Sequence, residues 1–125
     1  MKKIIQLIIF TLIGLLLNIS QSLADEKIKI GLAIPLSGEY KQIGNSILKA
    51  TKLAVNKIND ERIEIVPRDT KSDPETTLKI SKELEEKGIK IIIGPVFNKN
   101  LVYLDQLSEV TFLSLSNINF NNPKN

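Results

Sequence analysis

Short apolar runs alternate regularly with segments of helical periodicity along most of this chain. Four of the runs read as strands, Lys27–Pro35, Arg62–Arg68, Ile89–Ile93 and Val110–Leu115. Each run is too short for a helix, and most are bounded by glycine, proline or aspartate, as buried strands are. Strands that alternate with helices at this spacing predict βαβ units and a parallel sheet. Because such crossovers are right-handed, we expect a Rossmann-like or flavodoxin-like α/β fold with helices on both faces of the sheet.

Three segments between the predicted strands carry helical patterns. The first helix is predicted over Ser46–Asn59, with Asn45 as its N-cap residue. Its apolar face is expected to comprise Ile47, Leu48, Thr51, Ala54, Val55 and Ile58. The second helix is predicted to start at Asp73-Pro74-Glu75 and to end at Lys87-Gly88, because these residues are typical of helix ends. A third, short helix is predicted over Asn100–Glu109.

The predicted sheet has edges that need protection. Pro67 indicates that the second strand lies at one edge, because proline cannot donate to a strand ladder. The fourth run, Val110–Leu115, would leave a long apolar edge, which natural sheets usually avoid. Doubly wound domains normally have about five or six strands. We therefore expect a fragment of a longer domain, with a minimal four-stranded domain as the alternative.

Residues 1–24 have the features of a cleavable secretory signal peptide. Two lysines precede an uncharged apolar run over residues 4–19, and small residues then lead to a polar boundary. This pattern places the cleavage between Ala24 and Asp25 and predicts a periplasmic protein, secreted across the inner membrane. A retained membrane anchor is the alternative, but a spanning helix needs roughly 20 apolar residues.

Composition excludes several classes of chemistry. The chain has no cysteine and no histidine, which excludes disulfides, thiolate chemistry, histidine-ligated zinc and a Ser-His-Asp triad. It also lacks the glycine-rich nucleotide-binding motifs and the nucleophile-elbow motif. Without the two lysines of the signal peptide, the formal charge falls from +3 to +1, so no basic face for nucleic acid is expected. We expect a non-enzymatic protein without a metal or cofactor.

In parallel sheets of this kind, ligands bind outside the carboxyl ends of the strands. Ser37 is a candidate ligand-binding residue in the first loop of that edge, with a plain strand-to-helix turn as the alternative. Asp69 is better explained by turn and cap chemistry, which aspartate favours. This rule for parallel sheets predicts that a ligand lies near four loops, at residues 36–44, 69–72, 94–99 and 114–118.

Several short segments match, in order, a pattern known from one protein family. They are Ile30–Gly38, Gly44 with the helix end Val55–Asn59, Asp69–Glu75 and Ile91–Pro95. Together they resemble the type I periplasmic binding proteins of the leucine-binding (Leu/Ile/Val-binding) family. The resemblance implies two lobes joined by a hinge, of which residues 25–125 would be the N-terminal part of lobe 1.

One subgroup of that family is more similar still. Leu36–Gly38, Ile65–Thr70, Gly94–Phe97 and Leu115–Asn117 look like the binding-protein-like domain of penicillin-binding protein activators. Those proteins use the fold to regulate peptidoglycan synthesis from the envelope, and transport is not implied for them.

The resemblance also implies ligand-binding positions. The amino-acid binders have a serine three residues after the proline of the Gly-Pro turn, and Asn98 stands there in this chain. An asparagine side chain both donates and accepts hydrogen bonds, although it also suits a tight turn. The loop after the fourth strand supplies hydroxyl and backbone groups in that family, and Ser114, Ser116 and Asn117 correspond to it.

Three functions stay open at this point. The first is a solute-binding protein that captures a small polar ligand, such as an amino acid, for ABC-type uptake through a membrane permease. The second is an envelope regulator that contacts a peptidoglycan synthase, and the third is a truncated, non-functional fragment. The overall pattern favours the first. Ile43 and Ile118 favour the second, because they replace an aromatic residue and a hydroxyl that the amino-acid binders have.

Overall fold

The computed structural model describes residues 1, 3–6 and 26–116 of the 125-residue chain. Four strands lie in this part, β1 (Ile28–Ile34), β2 (Ile63–Asp69), β3 (Ile91–Ile93) and β4 (Thr111–Leu113). They form one parallel sheet in the order β2-β1-β3-β4. The predicted parallel α/β sheet is confirmed, and so is the edge position of the strand that contains Pro67.

Both ends of the chain carry predictions that fall outside the described residues. These predictions are the cleavage between Ala24 and Asp25, most of the signal peptide, and the candidate residue Asn117 with its neighbour Ile118. Within the described part of the chain, no helix has the length and apolar character needed to cross a membrane.

The first helix, α1 (Lys41–Ile58), begins well before its predicted start at Ser46. The predicted N-cap residue, Asn45, lies inside the helix, so that prediction is wrong. Gly44 explains the difference, because a Cβ atom there would overlap the carbonyl oxygen of Pro35. The helix can approach the end of β1 so closely only at a residue without a side chain. The sequence analysis had placed this glycine in a loop, since glycine is unfavourable within helices.

The face of α1 that packs on the sheet is buried less completely than predicted. Gly44 is its one fully buried residue. Ala54 and Ile58 are exposed, so their predicted place on the buried face is wrong. Ala54 lies on the flank of the helix, about 80° around the axis from Gly44, and Ile58 is the last residue of the helix. The remaining predicted positions are half-buried, namely Ile47, Leu48, Thr51 and Val55.

The second helix, α2 (Pro74–Glu86), has the predicted ends. The carboxylate of the N-cap residue Asp73 accepts a hydrogen bond from the Thr76 N–H at 2.7 Å. Gly88 has a φ angle of 76°, the left-handed conformation that commonly ends helices. Each signal acts over a few residues, which is why the sequence alone predicts this helix.

The segment predicted as a third α-helix, Asn100–Glu109, instead forms two 3₁₀ turns, Asn98–Leu101 and Leu104–Gln106. Leu104 and Leu107 are both buried, and they are three residues apart. That spacing is the 3₁₀ period, so the tighter turns direct these leucines to the core better than an α-helix would.

Strands β3 and β4 are shorter than the predicted runs. Ile89 and Val110 were assigned to strands, but they precede the paired residues. Both side chains are nevertheless buried in the core. Apolar runs thus extend beyond the hydrogen-bonded ladder, because burial and strand pairing are separate requirements.

The main apolar core lies between the sheet and α2. A Cβ atom at Gly31 would lie 2.9 Å from a methyl group of Leu84 and 3.0 Å from the side chain of Ile92. Ala33 lies in the same core, and Leu32 between them is also fully buried. Because side chains alternate along a strand, Leu32 points to the opposite face, where α1 packs. The two helices therefore cover opposite faces of the sheet, because the right-handed crossover from β1 to β2 and the one from β2 to β3 run in opposite directions across it.

Candidate ligand-binding site

The carboxyl ends of the four parallel strands lie along one edge of the sheet. The strand order sets the order of the loops along this edge. They are the loop after β2 (residues 70–73), the loop after β1 (35–40), the loop after β3 (94–97) and the loop after β4 (114–116). The loop after the central strand therefore lies between the loops after β2 and β3. This carboxyl edge is the place where the sequence analysis predicts a ligand.

Asp69, the last residue of β2, joins the loops after β1 and β2. Its Oδ1 atom accepts hydrogen bonds from the Leu36 N–H at 2.8 Å and from the Lys71 N–H at 2.9 Å. The next residue, Thr70, donates its N–H to the carbonyl oxygen of Ile34 at 3.0 Å. The structure thus gives Asp69 the turn role expected from the sequence.

The pKa of Asp69 lies below its usual range. Partial burial raises it, but hydrogen bonds from the Ser37 hydroxyl and from the N–H groups of Lys71 and Leu36 lower it by more. The carboxylate is therefore ionised at neutral pH and surrounded by donors. The Ser37 hydroxyl lies near this carboxylate and contributes to its lowered pKa.

The loops after β3 and β4 are joined at the carbonyl oxygen of Pro95. That oxygen accepts the Leu115 N–H at 3.0 Å and, over a longer distance of 3.4 Å, the Ser114 hydroxyl. Ser114 Oγ in turn accepts the Ser116 N–H at 3.1 Å. Ser114 is exposed and Ser116 is half-buried. A bond of 3.4 Å is weak, so the Ser114 hydroxyl can turn to a ligand at little cost.

An aromatic pair bridges the loops after β1 and β3. The rings of Tyr40 and Phe97 have centroids 4.6 Å apart and an interplanar angle of 57°. The sequence analysis missed this pair, because it looked for an aromatic residue at position 43, where Ile43 is 42% exposed on α1. A signal was present, since the chain has only two tyrosines and four phenylalanines and two of these six residues fall in the predicted site loops.

A buried asparagine, Asn100, anchors the segment that follows the loop after β3. The Asn100 side-chain nitrogen donates to Thr77 Oγ1 at 3.0 Å, and Thr77 Oγ1 donates to the carbonyl oxygen of Asp73 at 2.7 Å. Both Asn100 and Thr77 are almost fully buried. Because a buried polar contact is costly to break, the segment after Phe97 is held firmly against α2.

The predicted site residues occupy this edge but do not all meet. Ser37 lies beside Asp69, while Ser114 and Ser116 lie around Pro95. Asn98 is exposed and opens the first 3₁₀ turn, directly after Phe97. In residues 26–116, no cluster of three or more acidic side chains could hold a metal ion.

The carboxyl edge forms a wall of polar and aromatic groups. Hydroxyls, a side-chain amide and backbone carbonyls can hydrogen-bond a small polar molecule, and the two rings can pack against its apolar part. Two open grooves of about 360 and 330 Å³ lie elsewhere, one beside Asn59 at the end of α1 and one beside Lys29 on the sheet. The polar and aromatic groups of the carboxyl edge make it suitable as one side of a ligand-binding cleft.

The family of the chain follows from a comparison with known families. The family described as periplasmic binding protein matches residues 27–117, which include every element from β1 to β4. The chain belongs to the periplasmic binding protein family. The fold of this binding protein agrees with the partial type I lobe expected from the resemblance.

Three relatives illustrate the match. Leu/Ile/Val-binding protein homolog 1 of Brucella abortus is 30% identical in an alignment over 71 residues that covers 52% of this chain. LivJ of Streptococcus pneumoniae, a branched-chain amino acid transporter substrate-binding protein solved with isoleucine, has a TM-score of 0.62 and 24% identity over 73% of this chain. The C-domain of LpoA from Haemophilus influenzae, a regulator of PBP1A, has a TM-score of 0.59 and 26% identity over 69% of this chain.

The chain matches only a part of each relative. The matched region spans 19% of the Brucella protein, 29% of LivJ and 27% of the LpoA C-domain chain. The identity to LivJ is low enough that it supports the fold alone. The chain therefore spans less than a third of the length of each of these relatives.

Proposed function

We propose that this chain forms the N-terminal part of lobe 1 of an extracytoplasmic solute-binding protein. It would be a non-enzymatic protein that captures a small polar ligand, such as an amino acid, for ABC-type uptake and passes it to a membrane permease. The observation that carries this proposal is the carboxyl edge of a family member, where hydroxyl and amide groups flank an aromatic pair. The relative named Leu/Ile/Val-binding protein homolog 1 supports the ligand class.

Each proposed ligand-binding residue has a role that its chemistry allows. Hydroxyl groups donate and accept, so Ser37, Ser114 and Ser116 suit the ammonium and carboxylate groups of an amino acid. Asn98, and Asn117 beyond the described residues, add amide groups of both kinds. A second lobe would close over this wall by a hinge motion and remove the ligand from water. Export by the predicted signal peptide, cleaved between Ala24 and Asp25, would deliver the protein to the periplasm.

The test is a titration of residues 25–125 with L-isoleucine, followed by the backbone amide signals in nuclear magnetic resonance. Because one wall of the cleft is tested alone, we expect weak binding with a Kd on the order of 1 mM or above. The shifts should be confined to residues 35–40, 94–98 and 114–116. Ser114→Ala should weaken binding about two- to tenfold, the usual effect of one lost hydrogen bond.

The matched control is Ser108→Ala, an exposed serine in the turn that precedes β4, away from the carboxyl edge. It should leave the titration unchanged. Shifts that spread over α2, or equal effects of the two substitutions, would contradict the proposed site.

One observation favours a second candidate, an envelope regulator that contacts a peptidoglycan synthase. Ile43 is exposed beside the site, where amino-acid binders have an aromatic residue, and the LpoA C-domain shares 26% identity. A surface isoleucine suits a protein contact better than a polar ligand. This candidate predicts no shifts with amino acids. It also predicts binding to a purified peptidoglycan synthase that Ile43→Asp weakens.

A further inference from the structure

The outer surface of α1 differs in charge from the rest of the molecule. The helix contains four lysines and no acidic residue, and all four lysines are exposed. They are Lys41, Lys49, Lys52 and Lys57. The helix on the opposite face of the sheet, α2, instead has four glutamates and two lysines. Positive charge is therefore concentrated on one side of the molecule.

An exposed leucine lies between two of these lysines, Lys49 and Lys57, on the outer side of the helix. Leu53 follows the buried Gly44 by nine residues, which at 100° per residue places it on the opposite side of the helix, facing solvent. Its side chain is 69% exposed, more than that of any other large hydrophobic residue between residues 26 and 116. Lys49 and Lys57 lie one turn before and one turn after it on the same line.

The lysines of this surface form no ion pair within the described part of the chain. None of the four lysines takes part in either ion pair found there. The acidic residue just beyond the helix, Asp60, pairs with Arg62 at 2.7 Å. The hydroxyls of Ser46 and Thr51 donate to carbonyl oxygens of the same helix. The lysines are thus available to an external anionic partner.

We propose that this face of α1 docks on an anionic phospholipid surface, with the lysines at the lipid phosphates and Leu53 in the interface. Each lysine near an anionic bilayer strengthens binding about fivefold, so the factors from several lysines multiply. Charge complementarity selects this partner, because the helix carries four lysines and no acidic residue that an anionic surface would repel. This docking is separate from ligand capture, because Leu53 faces away from the sheet.

The first experiment locates the contact on the full chain, which has no native cysteine. Ser46→Cys, near Leu53 on the outer face, is labelled with a polarity-sensitive dye, and Lys82→Cys on α2 is the matched control. Vesicles of phosphatidylcholine with and without phosphatidylglycerol are added. The dye at position 46 should shift to the blue only on the anionic vesicles, and the dye at position 82 should not shift.

The second experiment measures the contribution of the lysines by vesicle co-sedimentation. Lys49, Lys52 and Lys57 are changed to glutamine together, and the control changes Lys79, Lys82 and Lys87 of the α2 region, so both variants lose the same charge. The first variant should lose about a hundredfold in its phosphatidylglycerol-dependent partition, whereas the control should lose a few-fold at most. Salt that shortens the Debye length from about 10 Å to about 3 Å should remove the same component.

The design separates this surface from the apolar N-terminal run. That run is unchanged in every variant, and only the phosphatidylglycerol-dependent difference is compared. All substituted residues are exposed, and circular dichroism confirms that each variant is folded. Equal losses in the two triple variants would overturn the proposal, and so would a dye at position 46 that does not respond to the anionic vesicles.

Discussion

At the scale of a residue, Asp69 shows how one side chain organises the carboxyl edge of the sheet. Its carboxylate joins the loops after β1 and β2 through the N–H groups of Leu36 and Lys71. The Ser37 hydroxyl lies near the same carboxylate and helps to lower its pKa. Asp69 thus has the turn role that the sequence predicts for it.

The lowered pKa of Asp69 predicts a dependence of stability on pH. Because the pKa is lower in the folded than in the unfolded chain, the ionised form stabilises the fold above the unfolded value of about 3.9. That contribution is lost as the pH falls through the folded-state pKa. We expect Asp69→Asn to be less stable than the original at neutral pH, with a difference that narrows below about pH 4.

Urea denaturation at a series of pH values measures this difference. Asp60 and Asp73 also have lowered pKa values, through hydrogen bonds with Arg62 and Thr76, and both remain in the variant. The gap between the two curves therefore reports Asp69 alone. A gap that stays constant from neutral to acid pH would show that the ionised carboxylate does not stabilise the fold.

At the scale of an element, the start of α1 is decided by a contact with the sheet. Gly44 lies in the second turn of the helix, against the backbone of Pro35. A backbone carbonyl cannot rotate away as a side chain can, so this contact sets how closely α1 approaches β1. The helix therefore begins at Lys41, before the residues whose periodicity suggests a helix.

Gly44→Ala should destabilise the fold, because its Cβ atom would overlap the Pro35 carbonyl oxygen. Overpacking of this kind costs about 1–3 kcal/mol, and we expect the upper part of that range. Urea denaturation gives the free energy of unfolding. The control is Ser46→Ala in the same helix, at an exposed position, which should change stability by no more than about 0.5 kcal/mol. Equal effects of the two substitutions would mean that the helix can move away from the sheet.

At the scale of the whole molecule, the two sheet edges differ. β2 is protected by Pro67 and by the charged residues Glu64 and Arg68. β4 forms the other edge of the described sheet, and its Leu113 side chain is 52% exposed. Thr111 donates its N–H to the Lys90 carbonyl on the β3 side, so the alternate backbone groups of β4 point outward. Such an edge is a template for another strand.

We expect the 125-residue chain to self-associate through β4. Leu113→Lys should reduce this association, because a lysine on an edge strand opposes pairing with a second strand. The control is Val102→Lys, which also places a lysine at an exposed apolar position, 62% exposed but away from the edge. Analytical ultracentrifugation over a range of concentrations measures the association. A monomer at all concentrations, or equal effects of the two substitutions, would contradict the prediction.

The candidate site was predictable in its place but not in its contacts. The rule for parallel sheets gives the carboxyl edge from the order of the elements alone. It does not show that Ser37 faces Asp69, or that Ser114 reaches the Pro95 carbonyl. The Tyr40–Phe97 pair was missed because its two residues belong to different loops, and only the packing of those loops brings the rings together.

The sequence by itself determined the alternation of strands and helices, the edge position of β2 and both ends of α2. These depend on apolar periodicity, on a proline without an N–H, and on caps that act within a few residues. Only the tertiary structure decided the start of α1, the 3₁₀ turns after β3 and the orientation of the site groups. Their causes are contacts between distant residues, such as Leu36 and Asp69 at a separation of 33, which no local pattern encodes.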